Sequence, residues 1–140
     1  MRKILILLAA VFITALGEVS AQSFKIIVNQ SNGTNSLTKK EASDFFLKKK
    51  AKWTSGIVVM PVDLASGSRT RESFSQQIHE KGTSAIRSFW QQAAFSGTAS
   101  APPEKASDDE VIDYVKKNPG AIGYVSSTAN TSSVKVISVN

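Results

Sequence analysis

The chain has 140 residues, no cysteine, one histidine and a formal net charge of +6. Without cysteine there are no disulfides, no thiolate metal centre and no cysteine nucleophile, and a lone histidine does not by itself assemble a metal site. The basic balance suits anionic partners in general and names none of them.

Met1-Arg2-Lys3 is a basic start, Ile4 to Leu16 an apolar run, and Val19-Ser20-Ala21 has the small residues of a cleavage site, so residues 1–21 are expected to be a secretory signal peptide. The run is short of the roughly 20 residues a spanning helix needs, and no cysteine follows for lipid attachment. No membrane insertion is therefore expected after signal removal. Export without disulfides fits a bacterial periplasm. Setting aside Arg2, Lys3 and Glu18 from 17 Lys and Arg and 11 Asp and Glu leaves a net charge of +5. Residues 22–140 are then one domain, long enough to bury roughly two thirds of the surface of its unfolded chain.

Phe24 to Asn29 is β-branched and apolar and predicts a strand. Gln30 to Ser36 is a polar loop. Thr38-Lys39-Lys40-Glu41 is a capping box, preceded by Leu37 as a hydrophobic staple. The helix it opens is expected to run to about Lys50, with Ala42, Phe45 and Phe46 on one face and Lys48, Lys49, Lys50 and Lys52 crowding its last turn. Ile57 to Val62 is near-continuously apolar, as a central strand covered on both faces would be. A Gly/Ser turn follows, then a helix with Phe74 and Ile78 inward that stops at Gly82. Ile86, Phe89, Trp90 and Ala93 mark a further helix ending near Gly97. Thr98 to Lys105, with Pro102-Pro103, is expected to be a loop. Ser107-Asp108-Asp109-Glu110 is a second capping box, and Asn118-Pro119-Gly120 stops the helix it opens. Ala121 to Val125 and Val134 to Val139 are the last two strands. This alternation predicts an α/β sandwich with a partly parallel sheet.

Chemistry concentrates where the apolar strand ends. Val62-Asp63-Leu64-Ala65-Ser66-Gly67-Ser68-Arg69-Thr70-Arg71 reads as strand, turn and first helical turn. Such a turn directs free backbone N–H groups outward. Ser68 and Thr70 add hydroxyl donors, and Arg69 and Arg71 can clamp an oxyanion two-pronged. The expected ligand is a small oxyanion, phosphate first, held by Ser66, Gly67, Ser68, Arg69, Thr70 and Arg71. Anion sites in α/β sheets lie beyond strand carboxyl ends, so Ser31 and Asn32, after the first strand, are expected to line the same mouth.

Other candidates read better as structure. His79 lies on a polar stretch with no second histidine. Asp108, Asp109 and Glu110 fill a first helical turn, where acids are favoured. Trp53, Phe89, Trp90 and Tyr124 are spaced with aliphatic residues as core. Lys48 to Lys52 lacks the interleaved aromatics of a nucleic-acid surface. Ser68 has no base or Gly-x-Ser-x-Gly elbow to make it a nucleophile. No catalytic residue, metal site, cofactor or nucleic-acid partner is expected.

Gly67-Ser68-Arg69-Thr70-Arg71-Glu72-Ser73-Phe74 is similar to the Gly-Ser-Gly-Thr-Arg-x-x-Phe turn of the phosphate-binding periplasmic proteins of ABC transporters. Ile27-Val28-Asn29, Leu37 through Trp53 and Pro119-Gly120-Ala121-Ile122-Gly123-Tyr124 resemble further stretches of that family in the same order. The resemblance implies one lobe of a type II periplasmic binding protein: a three-layer sandwich around a mixed, mostly parallel sheet of about four to five strands. It also implies a binding protein rather than an enzyme, with phosphate as ligand and an ABC permease as partner. Arg69 stands where the family has Gly, and Leu64 and Ser66 stand where many members have Arg and Asp. Arg69 and Arg71 would then supply the missing charge. The alternative function is an interaction module that uses the former cleft face to bind a protein partner or a second copy as a homodimer.

Overall fold

The computed structural model describes residues 23–140, so the expected signal peptide, 1–21, lies outside the described residues. In chain order the elements are β1 (Phe24–Val28), β2 (Ser36–Leu37), α1 (Lys39–Phe46), β3 (Met60–Pro61), β4 (Asp63–Leu64) and α2 (Arg69–Phe74), which runs on as a wide π turn over Ser75–His79. There follow α3 (Thr83–Ser96), β5 (Glu104–Lys105), α4 (Asp108–Lys117), β6 (Ala121–Ser126) and β7 (Lys135–Val139).

Five strands form one mixed sheet in the order β2-β7-β1-β6-β3. Central β1 is antiparallel to both neighbours, with Phe24 opposite Ser126 and Val28 opposite Ile122 on β6. The outer pairs, β2 with β7 and β3 with β6, are parallel. Past Pro61 the chain changes partner. Val62 still donates to the Ile122 carbonyl at 2.9 Å, but Asp63 donates to that of Pro103 at 3.0 Å. From there β4 pairs in parallel with β5. The sheet is thus mixed and five-stranded as expected, but it is not mostly parallel: two of its four pairings are antiparallel, and those are the longer ladders.

Both faces are covered, which makes the fold α/β in three layers. Successive β6 side chains point to opposite faces. On one, a Cβ added to Gly123 would meet Val111 and Val62 at 2.8 Å and Val115 at 3.3 Å, so α4 lies tight against the strand. On the other, Tyr124 stacks flat on Phe74, with ring centroids 3.9 Å apart, and Phe46 packs on both. Double coverage is why Ala121 to Val125 is wholly buried and reads as a nearly unbroken apolar run.

Three expectations are corrected. The capping box of α1 forms, with Thr38 Oγ1 accepting from the Glu41 amide at 3.1 Å and Glu41 Oε1 from the Thr38 amide at 3.2 Å. The helix nevertheless ends at Phe46, because Lys48 turns left-handed (φ 56°) and the amides of Lys49 and Lys50 bend back to the Asp44 carbonyl. The lysines therefore lie beyond the helix. The bend brings in Trp53, whose ring packs 4.6 Å from Phe45 and whose N–H donates to the Gly120 carbonyl at 2.9 Å.

Ile57 to Val62 is not a central strand. It forms the sheet's edge at β3, leaving Ile57, Val58 and Met60 exposed. Pro61, which has no N–H to give a ladder, carried that message in the sequence. The 98–105 loop contains a short strand, β5. Helix α3 matches its expected span, but its stripe builds a separate small cluster: Ile86 and Trp90 are buried with Leu47, while Phe89 and Ala93 are half-buried.

Candidate functional site

The turn leaves β4 at Ala65, whose amide donates to the Lys105 carbonyl at 2.8 Å. Ser68 N–H donates back to the Ala65 carbonyl at 3.2 Å, and Gly67 adopts φ 92°, a conformation that costs glycine little. Ser68 then caps α2, its Oγ accepting from the Arg71 amide at 3.2 Å. That leaves the Ser68 hydroxyl proton free to donate. The backbone N–H groups of Gly67, Arg69 and Thr70 have no acceptor among the described residues. Ser66 and Arg69 are exposed and Thr70 is half-buried.

Arg71 is buried. Its Nη1 donates to the Leu64 carbonyl at 2.8 Å and to Glu104 Oε1 at 2.6 Å. No buried polar side-chain atom among the described residues lacks a partner. The Nε and Nη2 hydrogens, which have no protein acceptor, therefore reach solvent. They form the flat edge with which a guanidinium takes two oxygens at once.

Behind Arg71 lies Asp63, whose carboxylate accepts from the Tyr124 hydroxyl at 2.9 Å, while that hydroxyl accepts from the Leu64 amide at 3.3 Å. Burial raises the Asp63 pKa, against the pull of Arg71 and the Tyr124 hydrogen bond. Burial also raises that of Tyr124, helped by the neighbouring Asp63. For Arg71, burial opposes the charge but is outweighed by the Glu104 hydrogen bond and the attraction of Asp63, so its pKa rises and it stays cationic.

Ser66 and Arg71 open on a cavity of about 310 Å³ whose other walls come from α3 and the strand-side loop: Thr83, Arg87, Trp90 and Ala94 on one side, Ala101 and Glu104 on the other. Arg87, Trp90 and Glu104 are the site residues missed in the sequence. Arg87 and Trp90 lie on α3, where spacing reveals a face but not what it opposes. Glu104 sits in a stretch read as loop.

The expectation that Ser31 and Asn32 share this mouth is corrected. Because β1 runs antiparallel to β6 and β6 parallel to β3, the carboxyl ends of β1 and β3 lie at opposite ends of the sheet, and it is β3 that leads on through β4 into the turn. Ser31 and Asn32 line a different cavity, of about 370 Å³, with Trp53, Ile57 and Pro119.

The remaining candidates have structural partners. His79 Nδ1 meets Ser43 Oγ at 2.7 Å, and its ring stands edge-on to Phe74. Desolvation, with nearby Lys49 and Lys81, lowers its pKa to about 4. Asp108 accepts from the Ser126 amide at 3.1 Å and hydroxyl at 2.6 Å, tying α4 to β6. Among the described residues no group of acids and histidine is placed to hold a metal ion, and no helix is long and apolar enough to cross a membrane.

No family model and no curated protein matches the sequence. The fold does have relatives among solved structures, and they define its class: one lobe of the periplasmic-binding-protein-like fold. It is similar to an ABC-type phosphate transport receptor from Vibrio cholerae, with a TM-score of 0.67 and 19% identity over 84% of this chain and 46% of that one. It is likewise similar to PstS from Borrelia burgdorferi (TM-score 0.66, 16% identity, 84% and 47%). A third is a Clostridium perfringens protein assigned as a phosphate ABC transporter substrate-binding protein and solved with bound phosphate (TM-score 0.64, 20% identity, 84% and 44%). The chain thus spans less than half the length of the structures it matches.

Proposed function

We propose that the protein is an exported, periplasmic, single-lobe binding protein that holds a small oxyanion, phosphate first, at the turn from Ser66 to Arg71, in the service of an ABC transporter. The observation that carries this reading is a run of donors with no protein acceptor along one turn. These are the amides of Gly67, Arg69 and Thr70 and the open guanidinium edge of Arg71. The hydroxyls of Ser68 and Thr70 stand beside them. The likeness in fold to phosphate-binding transport proteins supports it. Glu104 offsets part of the Arg71 charge, so Arg69 and Arg87 carry the balance. Nothing in this arrangement is a nucleophile paired with a base, and the reading is of a binding protein rather than an enzyme.

The test is calorimetric titration with phosphate at low salt, with sulfate as control. Saturable binding is expected. It should be lost in S68A/R71A, partly kept in R71K, and weakened as chloride screens an open site. No heat and no thermal stabilisation at millimolar phosphate overturns the proposal.

One observation favours a second reading. Ile57, Val58 and Met60 are 48%, 58% and 37% exposed and adjoin one another on the edge at β3. Exposed apolar residues grouped in one place mark an interaction surface. On this reading the protein docks a protein partner or a second copy there, at the end of the sheet away from the anion turn. A mass that rises with concentration in the wild type and not in I57S/V58S is its signature.

A further inference from the structure

The cavity beside the turn is roomier, and its inner wall less polar, than a bare oxyanion requires. At about 310 Å³ it falls at the small end of pockets that enclose organic ligands, which combine apolar walls with a few fixed polar groups. Its charged lining is Arg71, Arg87 and Glu104, with Ser66, Thr83, Gln91 and Ser100 as neutral polar groups. Two guanidinium groups against one carboxylate leave the lining net positive. Its apolar lining is Trp90, Ala94 and Ala101. Trp90 is only 7% exposed and is wedged against Leu47 and Ile86, so it is a fixed wall rather than a loose side chain. An inorganic anion at the turn leaves this wall against water, whereas an apolar substituent on the anion would cover it and gain from leaving water.

We infer that the site takes an organic phosphonate or phosphate monoester in preference to free phosphate. Its anionic head lies at the Ser66–Arg71 turn, and its small apolar or aromatic substituent lies against Trp90, Ala94 and Ala101. The inference rests on the oxyanion reading of the turn and adds the class of molecule that carries the anion.

The experiment titrates the protein with inorganic phosphate, methylphosphonate, phenylphosphonate and benzyl alcohol, followed by heat and by tryptophan emission in a W53F background, where Trp90 alone reports. Phenylphosphonate should bind at least tenfold more tightly than phosphate, with methylphosphonate between them, and should change Trp90 emission. Filling the apolar lining with A94L/A101L should bring phenylphosphonate down to the affinity of phosphate while leaving phosphate itself unchanged. Phosphate binding as tightly as phenylphosphonate, or a preference that survives the filled wall, overturns the inference and leaves the oxyanion reading standing. Benzyl alcohol binding as tightly as phenylphosphonate, or no binding of any anion, overturns both.

Discussion

The guanidinium of Arg71 meets the carboxylate of Glu104 at 2.6 Å, joining the first turn of α2 to β5 across the mouth of the cavity. The Arg71 side chain is 9% exposed and that of Glu104 44% exposed, so the pair is buried on one side only. It anchors the arginine and at the same time spends part of its charge. Replacing Glu104 by Gln therefore acts in opposite directions on stability and on binding. E104Q should lower stability by about 1 kcal/mol, since one partner is already wet. It should also tighten phosphate binding several-fold by releasing Arg71. Melting and titration of the same preparation check both signs; weaker phosphate binding in E104Q would mean that Arg71 does not face the anion.

Asp63 gives a pH signature. Its pKa is raised from 3.8 in the folded protein, chiefly by burial, so the folded chain holds that proton more tightly than the unfolded chain does. Its contribution to stability is full in acid and is lost as pH climbs above 3.8 through the raised value. D63N keeps an acceptor for Tyr124 and removes the titration. Relative to D63N, the wild type should lose several degrees of melting temperature between about pH 4 and neutrality, and a constant difference across that range would contradict the assignment.

His79 works with the opposite sign. Its pKa falls from 6.5 to about 4 on folding, chiefly by desolvation, so between these values the unfolded chain takes up a proton that the folded chain refuses. Stability is then lost as pH falls from 6.5 toward 4, by on the order of 3 kcal/mol at most. H79Q retains a partner for Ser43 and should flatten this limb of the acid-denaturation curve. If wild type and H79Q fall in parallel, His79 is not the group responsible.

Gly123 sets the distance between α4 and the sheet. A methyl there would meet Val111 and Val62 at 2.8 Å, side chains already enclosed, so G123A should cost about 1–3 kcal/mol by overpacking. Gly33, with nothing within 4 Å of an added Cβ, is the control, and G33A should be near neutral. Chemical denaturation of both variants distinguishes them.

Much of the fold was legible because its signals are local. The capping box at Thr38, the stop at Gly97, the Asn118-Pro119 break and the apolar run of Ala121 to Val125 each act within a few residues, and each stands where the pattern puts it; at Ser107 the cap forms, but the Glu110 carboxylate accepts from the Ala106 amide and does not close the expected box. The turn at Gly67 and its Ser68 cap were legible for the same reason, since both are properties of consecutive residues. Where a pattern reached further it misled. The Ile57 to Val62 run promised a covered strand and became an edge, because apolar composition records a capacity for burial and not the presence of a neighbour.

By itself, then, the sequence determined the turn and cap around Ser68, the helices α3 and α4, and the buried ladder that supports them, since bonds between near neighbours specify these. Only the tertiary structure decided that β1 runs against β6 and carries Ser31 and Asn32 to the far end of the sheet. It alone decided that Glu104 closes on Arg71, and that Arg87 and Trp90 face the same opening. Strand direction and side-chain encounter depend on how separate apolar faces pack together, and no short stretch of residues encodes that.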